Sequence, residues 1–357
     1  MKKNFHYKAA SRVKTVFRII LTLQLGLLGN SFAQSTASIN GKVIDSKTEE
    51  PLGFVSLYLS QTTIGSNTDE NGNYIIHKIP AGKHLLVVSM VGYKPQIQEI
   101  TLSKNENLTI DFKLEPTTYQ FSQIEINGRS NEKRKDQLNI FKKYIIGENE
   151  FSDRCKILNE DKIEFKEKNN RLTASINEPL MVNNVALGYK IECILYSFIY
   201  NEKTNTASYL IFPRFIENKS SSKDSIEYYI DNRNNAYLGS VAHFLKAVAA
   251  NTLFYENFKL IAKNMYGDRI VYYDSHDIMR YDKATNTFYL RFSTPIKVEY
   301  SDSHKSQTSL IQLNHGMAGF DPSGYFVNPD EFVIEGDLAK GGLACMLPID
   351  WELKYEQ

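Results

Sequence analysis

Cysteine is scarce in this sequence, with three in 357 residues. Cys155, Cys193 and Cys345 lack the close pairing of a zinc site. An odd count also rules out a fully paired disulfide framework, so they read as small buried hydrophobes with room for one bridge. A charge excess of either sign is missing too. The 42 Lys and Arg against 41 Asp and Glu provide no cationic surplus to face phosphates, which excludes nucleic acid as a partner. Catalytic signatures are absent in turn: there is no H-E-x-x-H and no G-x-S-x-G. Gly341-Gly342 is not followed by the Lys-Ser/Thr of a phosphate loop and reads as a bend. No later apolar run approaches the roughly 20 residues that a helix needs to cross a bilayer.

What is present starts with a basic flank. Lys2, Lys3, Lys8, Arg12, Lys14 and Arg18 precede an apolar stretch from Ile19 to Leu28, and Ser31-Phe32-Ala33 follows. Small residues three and one positions before the scissile bond suit a signal peptidase, so residues 1–33 are expected to be a signal peptide cleaved after Ala33. The mature chain would then be periplasmic or outer-membrane-associated, with no integral span. The 22 Tyr and 20 Phe lean toward β structure, because aromatic rings fit half-buried pleated surfaces.

Residues 38–126 read as short strands joined by turn chemistry. Ile39, Gly41 and Val43 alternate, as do Val55, Leu57 and Leu59. Asp69-Glu70-Asn71-Gly72-Asn73 supplies a turn. Leu85 to Met90 is the nearly continuous apolar run of a buried central strand, and Leu108, Ile110, Phe112 and Leu114 close the unit at period two. About seven strands with regular turns predict a prealbumin/Ig-like β-sandwich. Gly41-Lys42-Val43-Ile44-Asp45, Pro51-Leu52-Gly53-Phe54-Val55, Thr68-Asp69 with Gly72 and Tyr74, and Val91-Gly92-Tyr93 follow in order. This series resembles the carboxypeptidase-regulatory-like domain of exported Bacteroidetes proteins. The same module precedes the plug of TonB-dependent receptors, where it commonly ends in a strand similar to Gln123–Gly128. The resemblance implies an accessory sandwich, not a peptidase, since no His is followed by a Glu three residues on. The remaining length is also too short for a receptor barrel.

Residues 127–137 read as a charged linker, and 138–357 as an α+β domain of mostly antiparallel strands. Leu138, Phe141 and Ile145 recur at helical spacing, and Asn169-Asn170 signals a hairpin. Leu187 to Tyr200 and Ala207 to Arg214 suggest a longer hairpin, and Glu217 to Ser225 a polar loop. Ser240 is placed to cap a helix carrying Val241, Phe244, Leu245 and Val248. Asn183 to Tyr189, Gly239-Ser240 with His243-Phe244-Leu245, and Met346-Leu347-Pro348 resemble segments of two-part Bacteroidetes proteins that carry the same sandwich in front. Lys246 stands where those proteins have Arg.

Several polar clusters invite chemistry, and each has a plainer account. Asp69, Asn71 and Asn73 mimic the start of a calcium loop, but Pro80 occupies the place of the bidentate Glu, so a turn is expected. Ser240 and His243 stack on one helix without a nucleophile elbow. Asp274, His276 and Asp277, and Asp302 with His304, fit polar turns. The sequence therefore nominates no catalytic, cofactor-binding or metal-binding residue. It points to a recognition or assembly protein of the cell envelope, with an envelope protein or glycan as partner. The alternative is a hydrolase whose groups assemble from distant loops of the C-terminal domain.

Overall fold

The computed structural model describes residues 36–117, 128–219, 222–263, 269–272, 274–326, 328 and 331–354. The signal peptide expected at residues 1–33 lies outside them, as does the strand expected at Gln123–Gly128 except for Gly128, which opens a helix. The architecture is mainly β, built from antiparallel sheets with few helices.

The first unit is a two-sheet sandwich. β1 (Ala37–Asp45) carries β4 (Asn73–Ile79) antiparallel on one side, with β7 (Asn107–Thr109) and β8 (Phe112–Leu114) parallel on the other. The facing sheet runs β3 (Gly65–Asn67), β2 (Ser56–Leu59), β5 (Gly82–Ser89), β6 (Gln96–Leu102). Ile39, Val43, Leu57, Leu59, Ile76, Leu86, Val88 and Leu114 interdigitate between them. Eight strands appear where about seven were expected, because the last period-two run breaks at Ile110-Asp111. Gly41 explains the break. A Cβ there would sit 1.8 Å from the Ile110 carbonyl oxygen, which also accepts the Tyr74 hydroxyl at 2.8 Å.

The motifs that carry the resemblance are staples of this sandwich. Thr68 Oγ1 donates to the Leu52 carbonyl at 2.7 Å and accepts the Val55 N–H at 2.9 Å. The Tyr93 hydroxyl donates to Asp45 at 2.8 Å, and the same carboxylate accepts the Lys47 and Thr48 N–H groups. These bonds, the Thr48 amide first, hold the Asp45 pKa below its ordinary value.

The second unit is a six-stranded sheet with helices on it. Its strands are β9 (Cys155–Ile157), β10 (Glu164–Lys168), β11 (Arg171–Ser175), β12 (Leu180–Asn184), β13 (Tyr189–Asn201) and β14 (Thr206–Glu217). The long β13 is the spine. It pairs β14 along one side and β12, then β11, along the other. Helix α1 (Gly128–Ile145) buries Phe141 and Ile145 on this sheet. It takes in the residues read as a linker, because Glu132, Lys133, Arg134 and Lys135 are good helix formers with no Gly or Pro among them. Arg134 then ties the helix to the Glu160 and Ile163 carbonyls. Helix α2 (Lys223–Tyr237) occupies what was read in part as a polar loop.

Residues 138–357 hold two hydrophobic cores. Helix α3 (Val241–Ala250) packs Phe244, Leu245 and Val248 against a third unit. One of its sheets runs β16 (Arg269–Tyr272), β15 (Phe258–Lys263), β19 (Ile296–Ser301), β20 (Ser306–Leu313), β22 (Phe332–Gly336). The other runs β17 (Met279–Asp282), β18 (Thr287–Arg291), β21 (Met317–Phe320). The chain then returns through helix α4 (Gly342–Cys345) and puts Leu343, Ala344, Leu347 and Trp351 back into the second unit's core. The third unit is therefore an insertion in the second, with the C-terminal strap closing the interruption.

Sandwich and second unit meet along β14. Tyr58, Val87, Ile194 and Phe212 form a small apolar cluster between them. The Tyr58 hydroxyl donates to the Phe212 carbonyl at 2.9 Å, and Gln61 N and Thr62 O bond to Pro213 O and Phe215 N. Arg214 reaches Ser56 Oγ at 2.9 Å.

Candidate ligand cleft

The clusters singled out in the sequence have structural partners. Asp69 Oδ1 accepts the Asn71 and Asn73 N–H groups at 2.9 and 2.8 Å, closing a turn. Ser240 Oγ accepts the His243 N–H at 3.1 Å, the expected helix cap. The His243 ring is 3% exposed and packs among Tyr237, Phe258 and Tyr300. Its Nδ1 accepts the Gly239 N–H at 3.0 Å, which leaves Nε2 to donate to Glu256 at 3.1 Å. Burial lowers its pKa against the opposing pull of Glu256. The ring is a neutral brace, and Ser240 aims its oxygen at the backbone.

Asp302 accepts the Tyr300 hydroxyl and the His304 and Lys305 N–H groups. Asp274 accepts the His276 N–H at 3.1 Å. Among the described residues no group of three or more His, Cys, Asp or Glu is placed to hold a metal ion, and no helix is long and apolar enough to cross a membrane.

A different place gathers groups suited to holding a ligand. Where the sandwich meets the second unit, a cleft of about 470 Å³ opens between the β5–β6 turn and the β11–β12 connection beside the middle of β13. The sandwich contributes Met90, Tyr93, Lys94 and Thr117, and the second unit Glu164, Ile176, Glu178, Leu195 and Tyr196. Tyr196 is 65% exposed, held edge-on to Phe212 at 6.0 Å. Register explains it: β13 and β14 slip by one residue between Leu195 and Ser197. Such a bulge re-aims a side chain, here turning the Tyr196 ring outward.

Polar groups line the same cleft. The Thr117 hydroxyl is buried with no hydrogen-bond partner among the described residues. Glu178 accepts Lys162 Nζ at 2.9 Å and Asn159 Nδ2 at 2.8 Å. Burial alone would raise its pKa, but these two donors outweigh it and keep the carboxylate ionised. Lys94 pairs with Glu115 at the rim, at 2.8 Å. Periodicity gave no sign of this cleft, because its walls come from units far apart in sequence. Tyr196 gave no signal of its own either, because β13 also carries Tyr189, Tyr200, Lys190, Glu192 and Ser197.

The fold of the first unit defines a class, the two-sheet β-sandwich with turn-rich edges. Within that class, residues 39–126 match the CarboxypepD_reg-like domain family. No curated protein matches the chain. Among solved structures, a candidate carbohydrate-binding protein of Bacteroides uniformis is 12% identical, over 75% of this chain and 91% of its own, at a TM-score of 0.20. A candidate membrane-associated protein of unknown function from Bacteroides fragilis is 10% identical, over 85% and 98%, at a TM-score of 0.19. Catechol 1,2-dioxygenase of an Acinetobacter species is 12% identical at a TM-score of 0.21, with 28% of this chain spanning 58% of that enzyme.

Proposed function

We propose that the chain is an exported, non-catalytic recognition protein of the cell envelope, and that the cleft between sandwich and six-stranded sheet seats its ligand. The observation that carries the reading is the grouping of the open Tyr196 ring, a hydroxyl with no partner among the described residues and two carboxylates over an apolar floor. Concave sites of this kind bind through apolar area and take their orientation from a few convergent polar groups. An envelope glycan or an exposed protein segment offers the matching chemistry, a flat apolar face edged by hydrogen-bond donors. The proposed signal peptide, residues 1–33, would deliver the chain there.

Glu164 and Glu178 share the cleft, as a pair of carboxylates would in a glycoside hydrolase. A general acid needs a raised pKa to hold its proton at neutral pH, and Glu178 is shifted the other way. The test is capture by the mature chain from Gln34 against panels of envelope glycans and envelope protein extracts. The reading expects a ligand whose retention falls at least tenfold with Tyr196→Ala while the folded signal is unchanged. Turnover of that ligand by the wild type, lost in Glu164→Gln or Glu178→Gln, would replace it with the hydrolase.

A further inference from the structure

Cys155 and Cys345 are free thiols in the structure, and we infer that oxidation joins them in a disulfide that locks the C-terminal strap onto the second unit. In register, Cys155 on β9 stands opposite Asn184 on β12, and directly opposed residues of an antiparallel pair present their side chains on one face. Asn184 is fully buried and reaches across that face, donating to the Ala344 carbonyl at 2.9 Å and accepting the Leu187 N–H at 3.0 Å. Cys345 is the next residue after Ala344, and both cysteines pack in the same core. Cys193 is out of reach. It faces Leu180 on β12, four residues or about 13 Å along the strand from Asn184.

The strap is where a covalent clip does most. It touches all three units: Ala344 N bonds Ile146 O at 3.0 Å, Ile349 N bonds Gln61 O at 2.7 Å, and the Tyr325 hydroxyl donates to Leu347 O at 2.8 Å. Asp350 also accepts the Thr63 N–H at 3.1 Å. A bridge at Cys345 would fix the segment that holds the sandwich against the second unit.

The chemistry is thiol–disulfide exchange with a small disulfide donor. One thiolate attacks the donor's disulfide, forming a mixed disulfide and releasing one donor thiol. The second thiolate then displaces the other donor thiol. The donor gains two electrons, both protons end on its thiols, and the chain gains one S–S bond. Burial pushes Cys155 and Cys345 up to about 12, so exchange belongs to folding or to local opening of the strap, and the finished bridge resists reductant in the closed fold.

The test uses the mature chain, unfolded, then refolded with oxidised glutathione, trapped with N-ethylmaleimide under denaturing conditions and mapped by mass spectrometry. The expected result is loss of two of the three thiols and a linked peptide pair joining Cys155 to Cys345, with Cys193 alkylated. Cys193→Ser should keep the linked pair. Three alkylated cysteines in refolded chain, or a bridge that includes Cys193, would overturn the inference. Neither outcome depends on where the protein resides or on what it binds.

Discussion

His243 couples the helix cap to the packing beneath it. Its pKa in the fold lies below the ordinary 6.5 because of burial, so the unfolded chain binds a proton that the native state refuses. Stability from this residue is therefore complete above pH 6.5 and is lost as pH falls below it toward the native value. A denaturation series from pH 8 to 5 should show that decline, and His243→Gln should flatten it. At Gly41 the limit is steric: a methyl group would collide with the Ile110 carbonyl. Gly41→Ala is expected to cost about 2–4 kcal/mol in urea denaturation, since overpacking against backbone cannot relax cheaply.

Helices and strands differed in how openly the sequence announced them. The Asn169-Asn170 hairpin was legible because both residues take positive φ, 54° and 60°, as such a turn requires. The Ser240 cap was legible for the same local reason. Ser240→Ala should lower stability by about 1 kcal/mol, read from the denaturation midpoint. Helix α2 stayed hidden. It buries only Arg233 and Ala236, so no apolar stripe marks it, and its Asn and Tyr residues are weak helix formers. Its anchor is instead Arg233, which donates to the Leu187 carbonyl and to Glu217 and lies 4.2 Å from the Tyr189 ring centre. The charged run before Leu138 looked like a linker because it has no apolar periodicity, yet its residues extend α1 by several turns. The cleft was illegible as a whole. Thr117 and Tyr196 stand in different units, and only docking along β14 brings them together.

At the scale of the molecule, a sandwich and an interrupted second unit are held in register by a strap from the chain's end. Close backbone approach makes that closure possible: a Cβ on Gly342 would lie 2.4 Å from the Ile146 carbonyl group, and its φ is +53°. Gly342→Ala should therefore loosen the strap and speed limited proteolysis near residues 341–354, while the sandwich core keeps its protection. If the sandwich is a docking module, the cleft it forms with the second unit is where specificity resides. The most direct measurement of that claim is site-specific photo-crosslinking in the native envelope, with benzoyl-phenylalanine at Tyr196 and, as control, at Tyr255, which is 82% exposed on the third unit. One envelope component captured from position 196 and not from position 255 is the predicted result. Capture from position 255 alone, or equal capture from both, would contradict the cleft as the seat of recognition.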